Sequence, residues 1–185
     1  MKITVLMGSP FTDGNTDKMV QAFTKGAQEA GHEVVRFNVA DMQIEPCTKT
    51  YFEKIAAGDA SADTQDMKKI LNSILDSPIV VFATPLYYYG MTSQLKAVLD
   101  HFNSKREQLI KKPTSAILLA NCGGSAPWSM NGIVIHFDCI CRFLHWRDGG
   151  HVLAYGLAEH SIDSTGALEQ AYQLGLNADA QARHE

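Results

Sequence analysis

The sequence predicts an α/β fold in which a parallel β-sheet lies between two layers of helices. Short apolar segments of strand length alternate with amphipathic segments of helix length along the chain. Residues 79–83 and 116–120 are uninterrupted apolar runs, which is typical of strands buried on both faces of a sheet. Regular alternation of strands and helices favours a parallel sheet with its helices on both sides.

The predicted elements follow the order βαβαβαβαβα. Five strands are predicted, at residues 3–7, 35–39, 79–83, 116–120 and 152–155. Helix patterns cover residues 15–31, 67–75, 95–102, 129–145 and 168–176, with a loose insert around residues 42–63. Five strands suit a flavodoxin-like three-layer sandwich with the strand order 2-1-3-4-5, in which ligands bind beyond the carboxyl ends of the strands. The loops after strands one, three and four are therefore the candidate site.

Length and composition narrow the possible classes of protein. The 185 residues suit one domain over residues 1–185. The net charge of −4 implies no basic face, so we expect no nucleic-acid partner. The first apolar run is too short for a signal peptide, and no segment approaches the ~20 apolar residues of a membrane span. The cysteines form no disulfide framework, which favours the cytoplasm (Cys47, Cys122, Cys139 and Cys141).

The first loop, residues 8–16, leads from a strand into the start of a helix. Free backbone N–H groups and the helix dipole attract an anion there. Ser9, Thr12, Asn15 and Thr16 add neutral donors, whereas neither a Gly-Lys-Ser/Thr sequence nor a Gly-x-Gly-x-x-Gly turn is present. This combination suits a terminal monophosphate. A helix cap with a tight turn is the alternative, since caps use the same residue types.

The second loop, residues 84–92, carries three consecutive tyrosines, and the third, residues 121–128, carries a Gly-Gly pair. The tyrosines either form a wall for a planar aromatic ligand or cover a core edge or subunit interface. Gly90 permits close approach of the backbone to a ligand, and Thr92 or Ser93 can cap the next helix. The glycine pair is weak evidence alone, but parallel strands place both loops at one sheet edge.

The sequence resembles the NADPH-dependent FMN reductase family. The resemblance rests on Gly-Ser-Pro followed by Gly-Asn-Thr after strand one, and on Thr-Pro-Leu-Tyr-Tyr-Tyr-Gly-Met-Thr-Ser-Gln-Leu-Lys-Ala-Val-Leu-Asp after strand three. Within the family, the sequence is most similar to the branch of iron–sulfur flavoproteins and related NAD(P)H quinone reductases. The resemblance covers nearly the whole chain. It implies FMN as cofactor, NAD(P)H as co-substrate and an oxidoreductase that assembles as a homodimer or homotetramer.

The resemblance also implies the residues that hold FMN. The phosphate is assigned to the first loop (Ser9, Asn15 and Thr16, with Phe11 beside them). The isoalloxazine and ribityl groups are assigned to the second loop (Pro85, Leu86, Tyr87, Tyr88 and Gly90). The polar edge of the flavin is assigned to the third (Asn121, Cys122, Gly123 and Gly124). No side chain is predicted to be catalytic, because flavin itself carries hydride chemistry.

Two departures from the family pattern matter. Phe11 stands where many relatives carry a basic residue, and Asp13 lies nearby, so a flavin-free interaction module is one alternative. Iron–sulfur members carry a Cys-x2-Cys-x2-Cys sequence after strand two, whereas here Cys47 is followed by Thr50 and Glu53. A cluster needs about four thiolates, so we predict none.

The main functional hypothesis is ping-pong transfer, in which NAD(P)H reduces FMN and is replaced by a quinone, nitro, azo or free-flavin acceptor. Trp128 and the tyrosines then stack on that small-molecule acceptor. The alternative is a flavodoxin-type electron carrier that docks on protein partners. Such carriers are usually strongly acidic, and a net charge of −4 argues mildly against one.

Other polar residues are assigned structural roles. His136, Cys139, Cys141 and His145 lie among apolar residues, and Cys139 and Cys141 point away from each other, so we predict core rather than a metal site. Cys122 has no identifiable base and is not predicted to be a nucleophile. Asp100 and His101 are predicted to be solvated or at an interface.

Overall fold

A computed structural model describes residues 1–182 of the chain. The five strands are β1 (Lys2–Met7), β2 (Glu33–Asn38), β3 (Ile79–Pro85), β4 (Ser115–Asn121) and β5 (Arg147–Ala154). The helices are α1 (Asn15–Glu29), α2 (Lys49–Ala56), α3 (Gln65–Asp76), α4 (Ser93–Asp100), α5 (Arg106–Lys111), α6 (Asn131–Leu144), α7 (Ala167–Leu176) and α8 (Ala178–Ala182). Short 3-10 turns join several of these elements.

The five strands form one parallel sheet in the order β2-β1-β3-β4-β5. Every residue of β4 is buried, as is every residue of β3 before Pro85, because helices cover both faces of the central strands. One apolar cluster joins the sheet to α3, α4, α5 and α6, and the other joins it to α1, α7 and α8. The predicted flavodoxin-like sandwich and its strand order are confirmed.

Helices α1 and α7 cross in close contact at two glycines. A Cβ atom at Gly26 would lie 2.1 Å from the carbonyl oxygen of Tyr172, and one at Gly175 would lie 2.1 Å from that of Phe23. Only glycine leaves room for backbones this close. This contact fixes α1, whose amino end belongs to the first loop, against the rest of the molecule.

Several predicted boundaries differ from the structure. The helix predicted over residues 129–145 is a 3-10 turn (Pro127–Met130) followed by α6, which ends before His145 because His145 is left-handed with φ 56°. The helix predicted over residues 95–102 likewise ends at Asp100, and a 3-10 turn follows. Strand β5 begins at Arg147 rather than at residue 152. Its first half contains two glycines beside a register shift in its pairing with β4, so that half lacks the apolar pattern by which strands are predicted.

The insert at residues 42–63 is more ordered than predicted. It contains α2, which Thr48 caps by accepting a hydrogen bond from the backbone N–H of Tyr51. The prediction for His101 is wrong, because its side chain is buried and bonded to Asp63 at 2.8 Å. Its imidazole supplies the polar partner that holds the insert against the end of α4. Among the helices of residues 1–182, none is both long enough and apolar enough to span a membrane.

Candidate functional site

The first and second loops meet at the carboxyl ends of β1 and β3. The Gly8 N–H donates to the carbonyl of Ala83 at 2.8 Å, and the Thr92 hydroxyl donates to the carbonyl of Gly8 at 2.9 Å. A Cβ atom at Gly8 would lie 2.8 Å from the Thr92 oxygen and 2.9 Å from the Leu95 Cβ. Glycine is therefore required where the first loop passes over the start of α4. Thr92 also caps α4, as predicted.

The amino end of α1 is open to a ligand. The N-cap is Gly14, and within the described residues no side chain caps this helix, in contrast to α2, α3 and α4, which threonines cap (Thr48, Thr64 and Thr92). The helical ladder begins with Lys18 donating to Gly14 at 3.0 Å. The N–H groups of Asn15, Thr16 and Asp17 precede that bond, so they face an incoming anion along the positive end of the helix dipole.

The structure thus corrects the helix-cap alternative for the first loop. Asn15 and Thr16 are the first two residues inside α1, where a side chain no longer occupies the capping position. Ser9 is buried, and its hydroxyl oxygen accepts the N–H of Phe11 at 3.2 Å, which shapes the turn. Thr16 is also buried, and its hydroxyl oxygen accepts the side-chain amide of Asn121 at 2.6 Å. Each hydroxyl retains its own hydrogen for donation.

An ion pair between buried Asp17 and half-buried Arg36 lies directly beside the first loop. The Asp17 carboxylate accepts the N–H of Asp13 at 3.1 Å and the side-chain amide of Gln21 at 2.6 Å, and it pairs with the guanidinium of Arg36 on β2. Arg36 therefore neutralises the acidic residue in the first turn of α1. Phe11 itself is 64% exposed and leaves the loop open to solvent. Sequence reasoning missed Asp17 and Arg36, although a charged residue inside a predicted strand was a usable signal.

The second loop forms a tight turn with an unusual backbone. Tyr87 and Gly90 exchange two backbone hydrogen bonds, at 3.1 and 3.2 Å. Tyr88 and Tyr89 between them have φ values of 47° and 65°, the left-handed pair of a type I′ turn. Asparagine and glycine normally occupy these positions, and left-handed backbone at a bulky residue costs about 1–3 kcal/mol. We refer to residues 87–90 as the tyrosine turn.

The tyrosine turn and the third loop border one cleft of about 310 Å³. Its lining comprises Leu86, Tyr88, Tyr89, Cys122, Gly123, Gly124 and Ser129. Tyr88 is fully exposed at the rim, and the Tyr89 ring packs against Trp128 with their centroids 5.2 Å apart. Of the remaining predicted residues, Pro85 ends β3 beside Asn121, and Tyr87 and Gly90 form the base of the turn.

The segment that follows β5 forms backbone hydrogen bonds with the third loop. Gly156 donates to the carbonyl of Gly124 at 2.8 Å, and Ala158 donates to that of Gly123 at 3.2 Å. Among residues 1–182, the N–H group of Gly123 donates to no protein acceptor, whereas that of Gly124 lies near the Cys122 sulfur. The Gly123 N–H is therefore available to the polar edge of a ligand. Sequence reasoning missed residues 156–158, because they act through backbone hydrogen bonds, which do not depend on the type of side chain.

The cysteines show no features of a reactive or metal-binding centre. The Cys122 thiol donates to the Gly124 carbonyl at 3.2 Å, and burial raises the pKa of that thiol. Burial also raises the pKa of Cys141 to about 12. Cys139 and His145 are both exposed, so their assignment to the core is wrong; Cys139 lies on the side of α6 that faces away from the sheet. In the part of the chain that the structure describes, no three His, Cys, Asp or Glu side chains could hold a metal ion together.

The family model for NADPH-dependent FMN reductase matches residues 1–138. The chain belongs to this family. The predicted family, the FMN cofactor and the class of NAD(P)H-dependent oxidoreductase are thereby confirmed. The matched range spans the first, second and third loops, in which all the predicted cofactor contacts lie.

Individual relatives agree with this membership. An iron–sulfur flavoprotein of Archaeoglobus fulgidus is 31% identical over 100 residues, which are 54% of this chain and 44% of that protein. The chain thus spans less than half the length of that iron–sulfur flavoprotein. A Bacillus subtilis protein described as an NAD(P)H-dependent FMN-containing oxidoreductase is 27% identical over 197 residues, covering 97% of this chain and 99% of its own.

A solved structure supports the fold of this NADPH-dependent FMN reductase family member. The FMN-dependent NADH-azoreductase of Bacillus anthracis, in complex with FMN, superposes with a TM-score of 0.74 at 18% identity. The superposition covers 99% of this chain and 100% of the azoreductase.

Proposed function

We propose that the chain binds FMN across the three loops and catalyses NAD(P)H-dependent reduction of a small planar acceptor. The observation that carries this proposal is the cleft between the tyrosine turn and the third loop, which lies beside the uncapped amino end of α1. A phosphate needs donors without a competing anion. The first loop meets that need, since Arg36 neutralises Asp17.

The proposed phosphate site consists of the α1 amino end with Ser9, Asn15 and Thr16, and Phe11 lies beside it with its ring exposed to solvent. Leu86 and the tyrosine turn, supported by Pro85, would flank the ring system. The backbone N–H groups of Gly123 and Gly124 would donate to its polar edge, with Asn121 and Cys122 beside them. Asn121 also fixes Thr16, so the proposed phosphate and ring sites share one rigid contact.

Bound FMN would supply the hydride chemistry, in a ping-pong sequence that begins with NAD(P)H and ends with a quinone, nitro, azo or flavin acceptor. The protein's own task is to place the acceptor. Tyr89 and Trp128 form a tilted aromatic pair next to the cleft, and the fully exposed ring of Tyr88 stands at its rim. These surfaces suit a flat aromatic acceptor, because aromatic rings pack favourably in offset or tilted pairs.

We further propose that residues 1–185 form one domain that acts in the cytoplasm as a homodimer or homotetramer. Its four cysteines are all free thiols, which suits a reducing compartment. The exposed aromatic side chains support association between copies.

Two measurements on the purified protein test this function. An absorption spectrum with the bands of oxidised flavin, released as FMN on denaturation, is the expected first result. Stopped-flow mixing with NADPH and with NADH should then remove the visible absorbance of the oxidised flavin at least as fast as the enzyme turns over. Added quinone should reoxidise the flavin and restore that absorbance. Flavin that is reduced only by dithionite would instead identify an electron carrier. A colourless protein that fails to take up FMN would favour the flavin-free interaction module.

A further inference from the structure

Asp17, in the first turn of α1, holds the shape of the first loop. Its carboxylate accepts the backbone N–H of Asp13 at 3.1 Å. Asp13 has a left-handed backbone with φ 62°, which is unfavourable for a residue with a Cβ atom. The hydrogen bond between Asp13 and Asp17 therefore stabilises a strained position just before the helix begins.

This contact resembles one half of a capping box. In a complete capping box, the side chain of the third helical residue reaches back to the backbone at the helix start, while the N-cap side chain accepts the N–H of that third residue. Asp17 is the third residue of α1, but the N-cap is Gly14, which has no side chain. The loop is thus held in place, while the N–H groups of the first turn stay free for a ligand.

The acid that holds the loop also opposes an anionic ligand. Asp17 is 3% exposed, and a buried carboxylate in the first turn of a helix repels a phosphate at the same helix end. Its Oδ1 atom is buried and pairs with the guanidinium of Arg36, and among residues 1–182 no further donor reaches that oxygen. Arg36 is therefore the group that offsets the charge of Asp17.

Strand β2 holds Arg36 in this position. Arg36 and Asn38 are alternate residues of β2, so their side chains leave the same face of the sheet, and the Arg36 Nε donates to the Asn38 Oδ1 at 2.7 Å. Strand β2 pairs with β1, where Asn38 lies opposite Met7, the residue before the first loop. Strand pairing thus places the cation and the loop side by side at one edge of the sheet.

We propose that Asp17 and Arg36 act as a positioning pair for the phosphate of the flavin. Asp17 gives the first loop its shape through Asp13, and Arg36 removes the repulsion that this acid would otherwise exert on the phosphate. The inference rests on the proposed function and deepens it by naming residues that decide between FMN and riboflavin. A purely structural ion pair would need both charges, whereas this pair needs the acceptor oxygen of residue 17 but not its charge.

The first experiment varies the charge. Flavin is removed from the purified protein, and FMN and riboflavin are titrated back by fluorescence quenching. Arg36→Met should raise the Kd for FMN on the order of 10-fold, because Asp17 then stays charged beside the phosphate, and should leave the Kd for riboflavin within about twofold. Arg36→Lys keeps the charge and should lose less. Lys69→Met, which breaks an exposed ion pair with Asp66 on α3, is the matched control and should change neither Kd.

Asp17→Asn separates the acceptor from the charge. Asparagine keeps a side-chain oxygen for the Asp13 N–H but is neutral. Added to Arg36→Met, Asp17→Asn should bring the Kd for FMN back to within about threefold of the wild type, so that the two substitutions compensate each other. Alone, Asp17→Asn should bind FMN at least as tightly as the wild type, because Arg36 then carries an uncompensated positive charge.

The second experiment varies the acceptor at constant charge. Asp17→Ala combined with Arg36→Met removes both charges, as Asp17→Asn with Arg36→Met does, but it leaves the Asp13 N–H without its acceptor. FMN should bind the alanine double variant roughly fivefold more weakly than the asparagine double variant. Adding Asp13→Gly should recover that loss, because glycine adopts the left-handed backbone unaided. Asp13→Ser removes the same charge but keeps a Cβ atom, and should recover less.

The outcomes separate the positioning pair from the proposed function. A wild-type protein that binds neither flavin overturns the function and the pair together. If the wild type binds FMN, the pair alone is overturned by an Arg36→Met variant with an unchanged Kd for FMN or with equal losses for FMN and riboflavin. It is also overturned if adding Asp17→Asn leaves FMN binding as weak as in Arg36→Met.

Discussion

The side chains of Thr16 and Asn121 meet in a buried hydrogen bond of 2.6 Å, in which the Asn121 amide donates to the Thr16 hydroxyl oxygen. Thr16 lies in the first turn of α1, and Asn121 is the last residue of β4. The bond therefore couples the first loop to the third across the carboxyl edge of the sheet. A ligand that uses both loops meets one preformed unit rather than two independent segments.

Thr16→Val should lower the free energy of unfolding by about 1–3 kcal/mol, because it keeps the shape of the side chain but leaves the buried Asn121 amide without its acceptor. Thr16→Ser, which keeps the hydroxyl, should lose much less. Urea denaturation of both variants measures the difference. Equal losses would mean that the methyl group, rather than the hydrogen bond, stabilises this junction.

Asn15→Ala should weaken FMN binding by roughly 5- to 150-fold, the equivalent of about 1–3 kcal/mol, if its side chain donates to the phosphate. Riboflavin, which lacks the phosphate, should bind the variant almost as well as it binds the wild type. Asn72→Ala, an exposed asparagine on α3, serves as the control. Titration that shows equal losses for FMN and riboflavin would make Asn15 structural and place the phosphate elsewhere.

The buried pair of His101 and Asp63 predicts a defined dependence of stability on pH. The two nitrogens of His101 lie 2.8 Å from the Asp63 carboxylate and 2.8 Å from the carbonyl of Glu45, and both partners accept. A ring that donates to both partners at once carries a proton on each nitrogen, so these contacts favour the imidazolium form. Burial by itself lowers the pKa of His101, but these two hydrogen bonds and the charges of Asp63 and Asp100 raise it above its usual value.

The sign of the pH effect follows from the directions of the two shifts. The contribution of His101 is fully present below its unfolded pKa of about 6.5 and is lost as pH rises through the folded value. Burial opposes ionisation of Asp63, yet hydrogen bonds from His101, Ser104 and Tyr51 lower its pKa, so its contribution is lost as pH falls below about 3.9.

Denaturation between pH 4 and 9 should therefore show wild-type stability declining above about pH 6.5 relative to His101→Gln. His160→Gln, at an exposed histidine, should follow the wild-type curve. Parallel curves for the wild type and His101→Gln would show that the imidazole stays neutral in the folded protein.

Replacing the two left-handed tyrosines of the tyrosine turn should not destabilise the fold, but it should weaken binding of the acceptor. The double variant Tyr88→Asn and Tyr89→Gly places the residues that a type I′ turn prefers, and should stabilise the fold by about 1–3 kcal/mol. It removes the exposed rings, so the KM for a quinone acceptor should rise while reduction by NADPH persists. Tyr89→Phe keeps the ring and should keep the KM. A double variant that lowers the melting temperature would show that the rings stabilise the fold.

Protein purified without oxygen should contain flavin but no stoichiometric iron or acid-labile sulfide, because Thr50 and Glu53 cannot supply thiolates. Colorimetric iron and sulfide assays beside the flavin spectrum make the comparison. About four irons per chain would overturn this prediction.

The sequence by itself determined the sheet order, the helix layers and the three loops that meet at the site. Apolar periodicity is local information, and parallel βαβ units leave few other arrangements. It also indicated Gly90 and the Gly123–Gly124 pair as positions where the backbone can approach a ligand, since glycine permits close contact before any partner is known.

Only the tertiary structure decided which polar groups form hydrogen bonds and ion pairs with one another. Thr16 and Asn121 are 105 residues apart, and Arg36 reaches Asp17 from a neighbouring strand. His101 has a chain pattern typical of a solvated helix end, yet the insert folds back and buries it against Asp63. The left-handed backbone of Tyr88 and Tyr89 likewise depends on anchoring of the turn at both ends. Such pairings form where packing removes water, because burial then requires each polar group to have a partner.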